Sequence, residues 1–338
     1  MYEGIIRWAI VGTGYIANRF AQGLGEVHDA MLAAVVSRDE ARGREFAEKY
    51  DGEAVYTDLG TMLNEIRPDA LYIATPNDCH YAAIVAALNA GVNVLSEKPM
   101  VDNRRQLDEV MALAKEKGLF LMEGMWTRCF PAVRQARDWI ASGRIGRPVT
   151  VRAFFEMHAD PNNWQWWKAG IRHAGGALRD VGIYSIAMAD MVFPRMPEKM
   201  FTAMDSNGEV DKAFHMLLDY GEGRHAFLGG AFNQDADTTV EISGEAGRIR
   251  IGPQFWDPTT ATLILNDGTV GSFESPYPAT GFQFEIRTVQ DCLRKGLIEC
   301  PDYPWADMGR VTDIIEAARR EQGIVYPADG EQAVGSRQ

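Results

Sequence analysis

The sequence predicts an α/β protein, a Rossmann-like parallel-sheet domain followed by an α+β domain with a large, mostly antiparallel sheet. Three observations lead there. An apolar run, Ile5 to Val11, opens directly into Gly12-Thr13-Gly14-Tyr15-Ile16-Ala17. Strand-like and helix-like stretches then alternate as far as Met122. From Met200 to Phe273 come short alternating segments parted by glycine and Asn/Asp turns. The chain has 338 residues, enough for two domains with a full core each. We expect a nucleotide-binding domain at 1–123 and a substrate-binding and oligomerisation domain at 124–338.

Element by element, the first half reads as follows. Ile5 to Val11 is a short buried strand, and the glycine run after it opens a helix to about Leu24. This is the Gly-x-Gly-x-x-Gly/Ala fingerprint in its required context. Gly12 makes the tight turn, Gly14 lets the backbone approach a pyrophosphate, and Ala17 permits close helix–strand packing. Thr13, Tyr15 and Ile16 share the loop and the helix N-terminus, whose unpaired N–H groups favour phosphate. The second strand, Leu32 to Val36, ends in Ser37-Arg38, with no acid until Asp39. A site preferring NAD places an acid there for the ribose 2′-hydroxyl. Ser37, Arg38 and Arg42 offer a hydroxyl and planar forks to a 2′-phosphate instead, so NADP is favoured over NAD. The alternative is that Arg38 is a solvated charge at a helix start.

A short strand at Ala54 to Tyr56, a helix from Asp58 to Ile66 and a strand from Asp69 to Ala74 follow. The last ends at Thr75-Pro76-Asn77. These residues and His80 can touch the nicotinamide ribose or its phosphate, although His80 alone reads first as a hydrogen-bonded structural histidine. A helix runs from Cys79 to Ala90 and stops at Gly91. The strand Val92 to Leu95 then delivers Glu97, Lys98 and Pro99 to its carboxyl end, where open α/β sheets bind ligands. Lys is the side chain whose pKa falls readily on burial, so Lys98 can carry a proton near neutral pH. A helix from Arg104 to Lys117, Gly118 and a strand from Leu119 to Met122 complete a parallel sheet.

In the second half, Leu178 to Met191 reads as one helix. Asp180 and Tyr184 are four apart on its sequence and so share a face. Trp126, Arg128, Phe155, His158 and Trp167 offer aromatic faces and polar tips suited to a sugar or diol ring; each could equally serve the core or an oligomer contact. Segments at Met200–Met204, Ala213–Tyr220, His225–Phe232, Thr239–Ser243, Arg248–Ile251 and Thr262–Leu265 read as antiparallel strands, with Asn266-Asp267-Gly268 a hairpin signal. Phe282 to Lys295 and Trp305 to Glu321 read as closing helices.

The net charge of -13 argues against nucleic acid or an anionic membrane as partner. The four cysteines form no Cys-x-x-Cys pair and lie near no histidine at zinc spacing, so we expect reduced thiols, no metal and a cytoplasmic protein. No basic leader or membrane-length run is expected to target the chain elsewhere.

Taken with the glycine fingerprint and Thr75-Pro76…His80, Glu97-Lys98-Pro99 resembles the Gfo/Idh/MocA oxidoreductases. The segments Leu121 to Pro131 (LMEGMWTRCFP), Gly175 to Tyr184 (GGALRDVGIY) and Cys292 to Gly296 (CLRKG) are similar to its dihydrodiol dehydrogenase and NADP-dependent xylose dehydrogenase branch. The resemblance implies that Lys98, Asp180 and Tyr184 face the nicotinamide. It also implies oxidation or reduction of a sugar-like or cyclic-diol alcohol, and a homodimer or homotetramer paired through the open face of the second sheet. Where relatives often carry Arg before the Gly-Gly run, this chain has Trp166-Trp167-Lys168, with Arg172 nearer the glycines. Tyr184 stands where many relatives carry His. A phenol has an ordinary pKa of about 10, so general-base work would need Lys98 to stabilise its phenolate. Two rivals share the fold: a non-catalytic sugar sensor, and an enzyme exchanging hydride between two sugars on a trapped cofactor.

Overall fold

A computed structural model of the chain describes residues 4–159, 170 and 173–330. Among the described residues, six strands form one parallel sheet: β1 (Ile6–Val11), β2 (Ala30–Val36), β3 (Val55–Tyr56), β4 (Ala70–Ile73), β5 (Asn93–Glu97) and β6 (Leu121–Gly124). Their order is β3-β2-β1-β4-β5-β6. The order reverses between β1 and β4, so a crevice opens at their carboxyl ends, the place where such sheets take ligands. The strands read as near-continuous apolar runs because helices cover both faces. Helices α1 (Tyr15–Gly25), α2 (Glu40–Lys49), α3 (Leu59–Ile66), α4 (His80–Asn89) and α5 (Arg104–Lys117) make the crossovers. Asp39, Asp58 and Asn103 cap α2, α3 and α5 with side-chain oxygens, and Gly118 ends α5 in the left-handed conformation.

Past α6 (Pro131–Ala141), eight strands form a second sheet among the described residues: β7 (Pro148–Glu156), β8 (Lys199–Ser206), β9 (Asp211–Asp219), β10 (His225–Ala231), β11 (Val240–Gly244), β12 (Gly247–Ile251), β13 (Thr260–Leu265) and β14 (Val270–Glu274). The order is β14-β13-β12-β11-β7-β10-β9-β8, antiparallel except for β7 beside β10. Alternation decides its two faces. Val151, Ala153, Phe155, Phe214 and Ile242 point inward and are buried, whereas Phe201 and Phe227 are 58% and 40% exposed on the other face.

Two features differ from the sequence reading. The central strand β7 and the edge strand β14 were not anticipated as strands. The expected helix Leu178–Met191 is a π-helical turn, Leu178–Gly182, followed by α7 (Ile183–Val192). The widened turn sits where the backbone meets β9: a Cβ at Gly182 would lie 2.3 Å from the Phe214 ring. Asp211 of β9 anchors its start, accepting the Leu178 N–H at 2.7 Å. Insertions of this kind recur at functional sites.

The chain then returns to the first sheet. Phe282, which begins α8 (Phe282–Arg294), packs its ring edge-on against Phe20 of α1 at 5.8 Å. From α5, Arg104 pairs at 2.5 Å with Asp313 of α9 (Trp305–Glu321). α8 and α9 thereby pack back onto the helices of the first sheet.

Candidate active site

Lys98 leaves the carboxyl end of β5 just before a cis peptide to Pro99. Its Nζ donates to the Asp180 carboxylate Oδ1 at 2.8 Å and to the Asp180 carbonyl at 2.6 Å. The same ammonium lies 4.8 Å from the centre of the Tyr184 ring. Lys98 and Asp180 side chains are each 12% exposed, so their charges are paired in a largely desolvated place and not on open surface. Lys98 from the end of β5 meets Asp180 of the π-helical turn and Tyr184 of α7 here, across 82 residues of sequence between Lys98 and Asp180.

The electrostatics of Tyr184 are set by its burial. Burial, followed by the negative charges of Glu97 and Asp180, holds its phenol well above the ordinary range. Lys98 meets the ring face and is already neutralised by Asp180, so it does not make a stable phenolate. The phenol is held protonated.

Beneath these lies a buried support. Glu97 accepts the Tyr72 hydroxyl at 2.5 Å and the Lys98 main-chain N–H at 3.2 Å, so both carboxylate oxygens have protein partners. Burial raises its pKa, with Tyr72 and Lys98 opposing. Glu97 thus braces Lys98 from below. His80 likewise turns out to be structural. It is fully buried, with Nδ1 3.0 Å from the Pro99 carbonyl and Nε2 2.9 Å from the Thr75 carbonyl. Both ring nitrogens are taken, leaving none for a cofactor. Burial draws its pKa down while the two carbonyls pull it up.

The dinucleotide loop is shaped for a close ligand. Gly12 has φ +102°, and a Cβ there would lie 2.6 Å from the Ala74 carbonyl, so only glycine fits. A Cβ at Gly14 would meet nothing within 4 Å, and among the described residues the Gly14 N-cap offers α1 no side-chain acceptor. Ile16 is part-buried against the core, and Tyr15 is 67% exposed beside the loop. The Thr75 hydroxyl, at the adjoining strand end, is buried without a partner. Pro76 and the buried Asn77 continue that edge. These features suit a bound pyrophosphate and ribose. Sequence reasoning missed Asn18, whose amide nitrogen donates to the Thr13 carbonyl at 3.3 Å and the Gly14 carbonyl at 2.9 Å, bracing the loop.

At the end of β2, Ser37 is buried and accepts the Asp39 N–H at 3.3 Å. Asp39 accepts the Arg42 N–H at 3.1 Å, and its other oxygen lies 3.8 Å from Arg42 Nε. The nearest acid is thus occupied with its helix, while Arg38 is exposed.

Of the expected substrate residues, two join the site. Phe155 packs 5.6 Å from Tyr184, and the Trp126 indole N–H, buried without a hydrogen-bond partner among the described residues, lies near its phenol. Arg128 does not. It is fully buried, donates to the Ala187 carbonyl at 2.7 Å, lies 3.6 Å from Asp190 and 3.4 Å from Asp307, and stacks over Tyr303. It is a core cation whose distant acidic partners no local pattern announces. His158 is exposed at the end of β7, held by Asp235 and Asn233. Trp167, with Trp166, Lys168 and Arg172, lies outside the described residues. Trp256 was missed; it stacks on Phe155 at 3.6 Å and 6°, and its loop position gave no periodic signal.

The parallel sheet carries Lys98 at one strand end, where Asp180 and Tyr184 meet it, and family models match both parts of the chain. One, described as "Oxidoreductase family, NAD-binding Rossmann fold", matches residues 6–125, and the GFO/IDH/MocA C-terminal domain matches residues 133–250. The chain belongs to the Gfo/Idh/MocA family of oxidoreductases. It is 32% identical to trans-1,2-dihydrobenzene-1,2-diol dehydrogenase of Mus musculus, over 96% of this chain and 99% of that protein. The Homo sapiens enzyme of the same name is also 32% identical, with 96% and 99% covered. Among solved structures, KijD10, a 3-ketoreductase from Actinomadura kijaniata in complex with NADP and TDP-benzene, superposes with a TM-score of 0.79 at 26% identity, covering 94% of this chain and 98% of that one.

Proposed function

We propose that the protein is an NADP-dependent dehydrogenase or reductase, moving a hydride between the nicotinamide and a secondary alcohol of an aldopyranose or cyclic trans-diol. The observation that carries this reading is the Lys98–Asp180 pair at 2.8 Å with the ammonium 4.8 Å from the Tyr184 ring, at the carboxyl end of β5. Gly12, Thr13, Gly14 and the α1 N-terminus would hold the pyrophosphate. Ser37, Arg38 and Arg42 would hold the 2′-phosphate, and Thr75, Pro76 and Asn77 the nicotinamide ribose. Preference for NADP is supported by Asp39 being engaged with α2 and by the NADP complex of KijD10. When bound, the nicotinamide supplies hydride exchange at its C4.

The chain's own groups do the rest. In reduction, Tyr184 donates its proton to the oxygen of the carbonyl as charge builds there. The Lys98 ammonium donates to the same oxygen, and Asp180 fixes the ammonium in place. Oxidation runs through the same groups in reverse, starting from the minor population in which Tyr184 has released its proton to solvent. Trp126, Phe155 and Tyr184 exclude water and hold the ring, an orienting contribution that reaches roughly 7–11 kcal/mol in favourable systems. A domain division at 123/124 and pairing through the open face of the second sheet belong to the same proposal, as does a cytoplasmic location.

A panel of pyranoses and cyclic diols, assayed with NADP and NAD in parallel by nicotinamide absorbance, tests the reading. We expect turnover of at least one class with NADP preferred. Binding without exchange of free cofactor would favour the sensor or the trapped-cofactor enzyme.

A further inference from the structure

Lys98, Asp180 and Tyr184 attend to the reacting carbon, which leaves the remainder of a ring substrate to be recognised. An aromatic wall leads away from Tyr184: Phe155 packs on it at 5.6 Å, and Trp256 stacks flat on Phe155 at 3.6 Å. Trp126 carries the Arg19 guanidinium 5.2 Å from its ring centre. Arg19 comes from α1 of the first sheet, and the residue after Trp256 is Asp257. The two charged groups meet where the wall ends, Arg19 Nη2 standing 3.9 Å from Asp257 Oδ2.

That separation is too long for a hydrogen bond. Arg19 Nη2 donates instead to the Thr280 carbonyl at 3.0 Å. Asp257 Oδ1 is enclosed and has no hydrogen-bond partner among the described residues. The side chains retain 27% and 15% of their exposure, so the pair is neither sealed in the core nor free in solvent. Burial pushes the Asp257 carboxyl up to about 6, with Arg19 opposing, as expected for a carboxylate lacking a close donor. Tyr277 does not supply one: its hydroxyl donates to the Asp257 main-chain carbonyl at 3.0 Å.

A hydroxyl group is one donor and two acceptors. Placed between these side chains, it accepts from Arg19 and donates to Asp257, completing both. A pyranose has C–H faces for the aromatic wall and ring hydroxyls for the charged pair. A cyclic diol has only the vicinal hydroxyl besides the reacting one, and its remaining hydrocarbon ring would strip water from the two charges without replacement, the kind of mismatch that polar sites reject strongly.

We infer that Arg19 and Asp257 form a subsite for a ring hydroxyl remote from the reacting carbon, which selects a pyranose over a cyclic diol with a bare hydrocarbon ring. The inference rests on the oxidoreductase reading above and names the substrate class for that site.

The test uses the NADP-loaded protein with D-xylose and trans-cyclohexane-1,2-diol as probes, followed by steady-state kinetics and calorimetric binding. Asp257→Ala removes the acceptor, Asp257→Asn keeps its shape and one acceptor oxygen, and NADPH titration checks that each variant is folded. We expect Asp257→Ala to lower the xylose-to-diol ratio of kcat/KM at least tenfold, through KM, with Asp257→Asn intermediate. The ratio of binding constants should fall in parallel. An unchanged ratio in both variants overturns the subsite while leaving the oxidoreductase reading intact. Xylose binding that depends on Asp257 without turnover of any alcohol supports the subsite and contradicts the oxidoreductase reading. Loaded wild-type protein that binds no xylose overturns the subsite outright.

Discussion

Tyr184 shows how far a side chain's chemistry depends on its surroundings. Its position in Gly175 to Tyr184 was readable, and so was its closeness to a lysine through the family resemblance. Its protonation was not, because that depends on burial and on Glu97, which approaches from another strand. A phenol held well above its ordinary range stays protonated across the physiological window. In the reductive direction, kcat/KM should therefore show no decline from this group below about pH 10. Tyr184→Phe should lower kcat by about 10²–10⁴-fold, the usual range for losing a general acid. A limb with an apparent pKa of about 7–9 that disappears in Tyr184→Phe would contradict this. Arg128 and His80 teach the converse. Each has the residue type of a ligand-binding group, yet Arg128 is consumed by Asp190, Asp307 and a carbonyl, and His80 by two carbonyls. Partners far away in sequence left no trace in local spacing.

At the level of elements, the π-helical turn Leu178–Gly182 depends on Asp211, whose carboxyl is pushed up to about 6 by burial against an ordinary 3.8, the Leu178 N–H opposing. A carboxyl with a raised folded-state pKa binds its proton more tightly when folded. Its contribution to stability is complete below the unfolded value near 4 and is lost as pH rises through about 6. The loss is at most about 3 kcal/mol at roughly 1.4 kcal/mol per pKa unit. Asp211→Asn retains an oxygen for Leu178 but cannot titrate. Urea unfolding of both proteins at several pH values between 4 and 7.5 should show the variant gaining on the wild type as pH rises; a constant difference would refute the assignment. The helices were legible where caps and periodicity spoke: α5 and α9 have the ends expected for them. The π turn was not, since the steric demand that shapes it comes from Phe214 on β9. Strand β7 was hidden too. It lies central in its sheet, and its parallel neighbour β10 is remote in sequence.

Across the whole molecule, the first sheet was readable because every strand–helix unit carries local signals, and its order follows from right-handed crossovers. The return of α8 and α9 to that sheet was not, being a matter of long-range packing. The outer face of the second sheet carries Phe201, Leu217 and Phe227 in one cross-strand row. Large exposed aromatics in register on a broad sheet are what a self-complementary interface presents. Sedimentation should give a dimer or larger assembly for the wild type and a smaller species for the Phe201→Glu, Phe227→Glu double variant. A wild-type monomer at micromolar concentration would refute pairing through this face.

The convergence of Lys98, Asp180 and Tyr184 is most directly tested by Lys98→Met, with NADPH binding read by fluorescence and turnover read on any substrate the panel yields. We expect affinity for the nucleotide to stay within a few-fold of the wild type, because the pyrophosphate loop is untouched, while turnover falls by orders of magnitude. Turnover equal to the wild type would remove the ammonium from the reaction and the proposed chemistry with it.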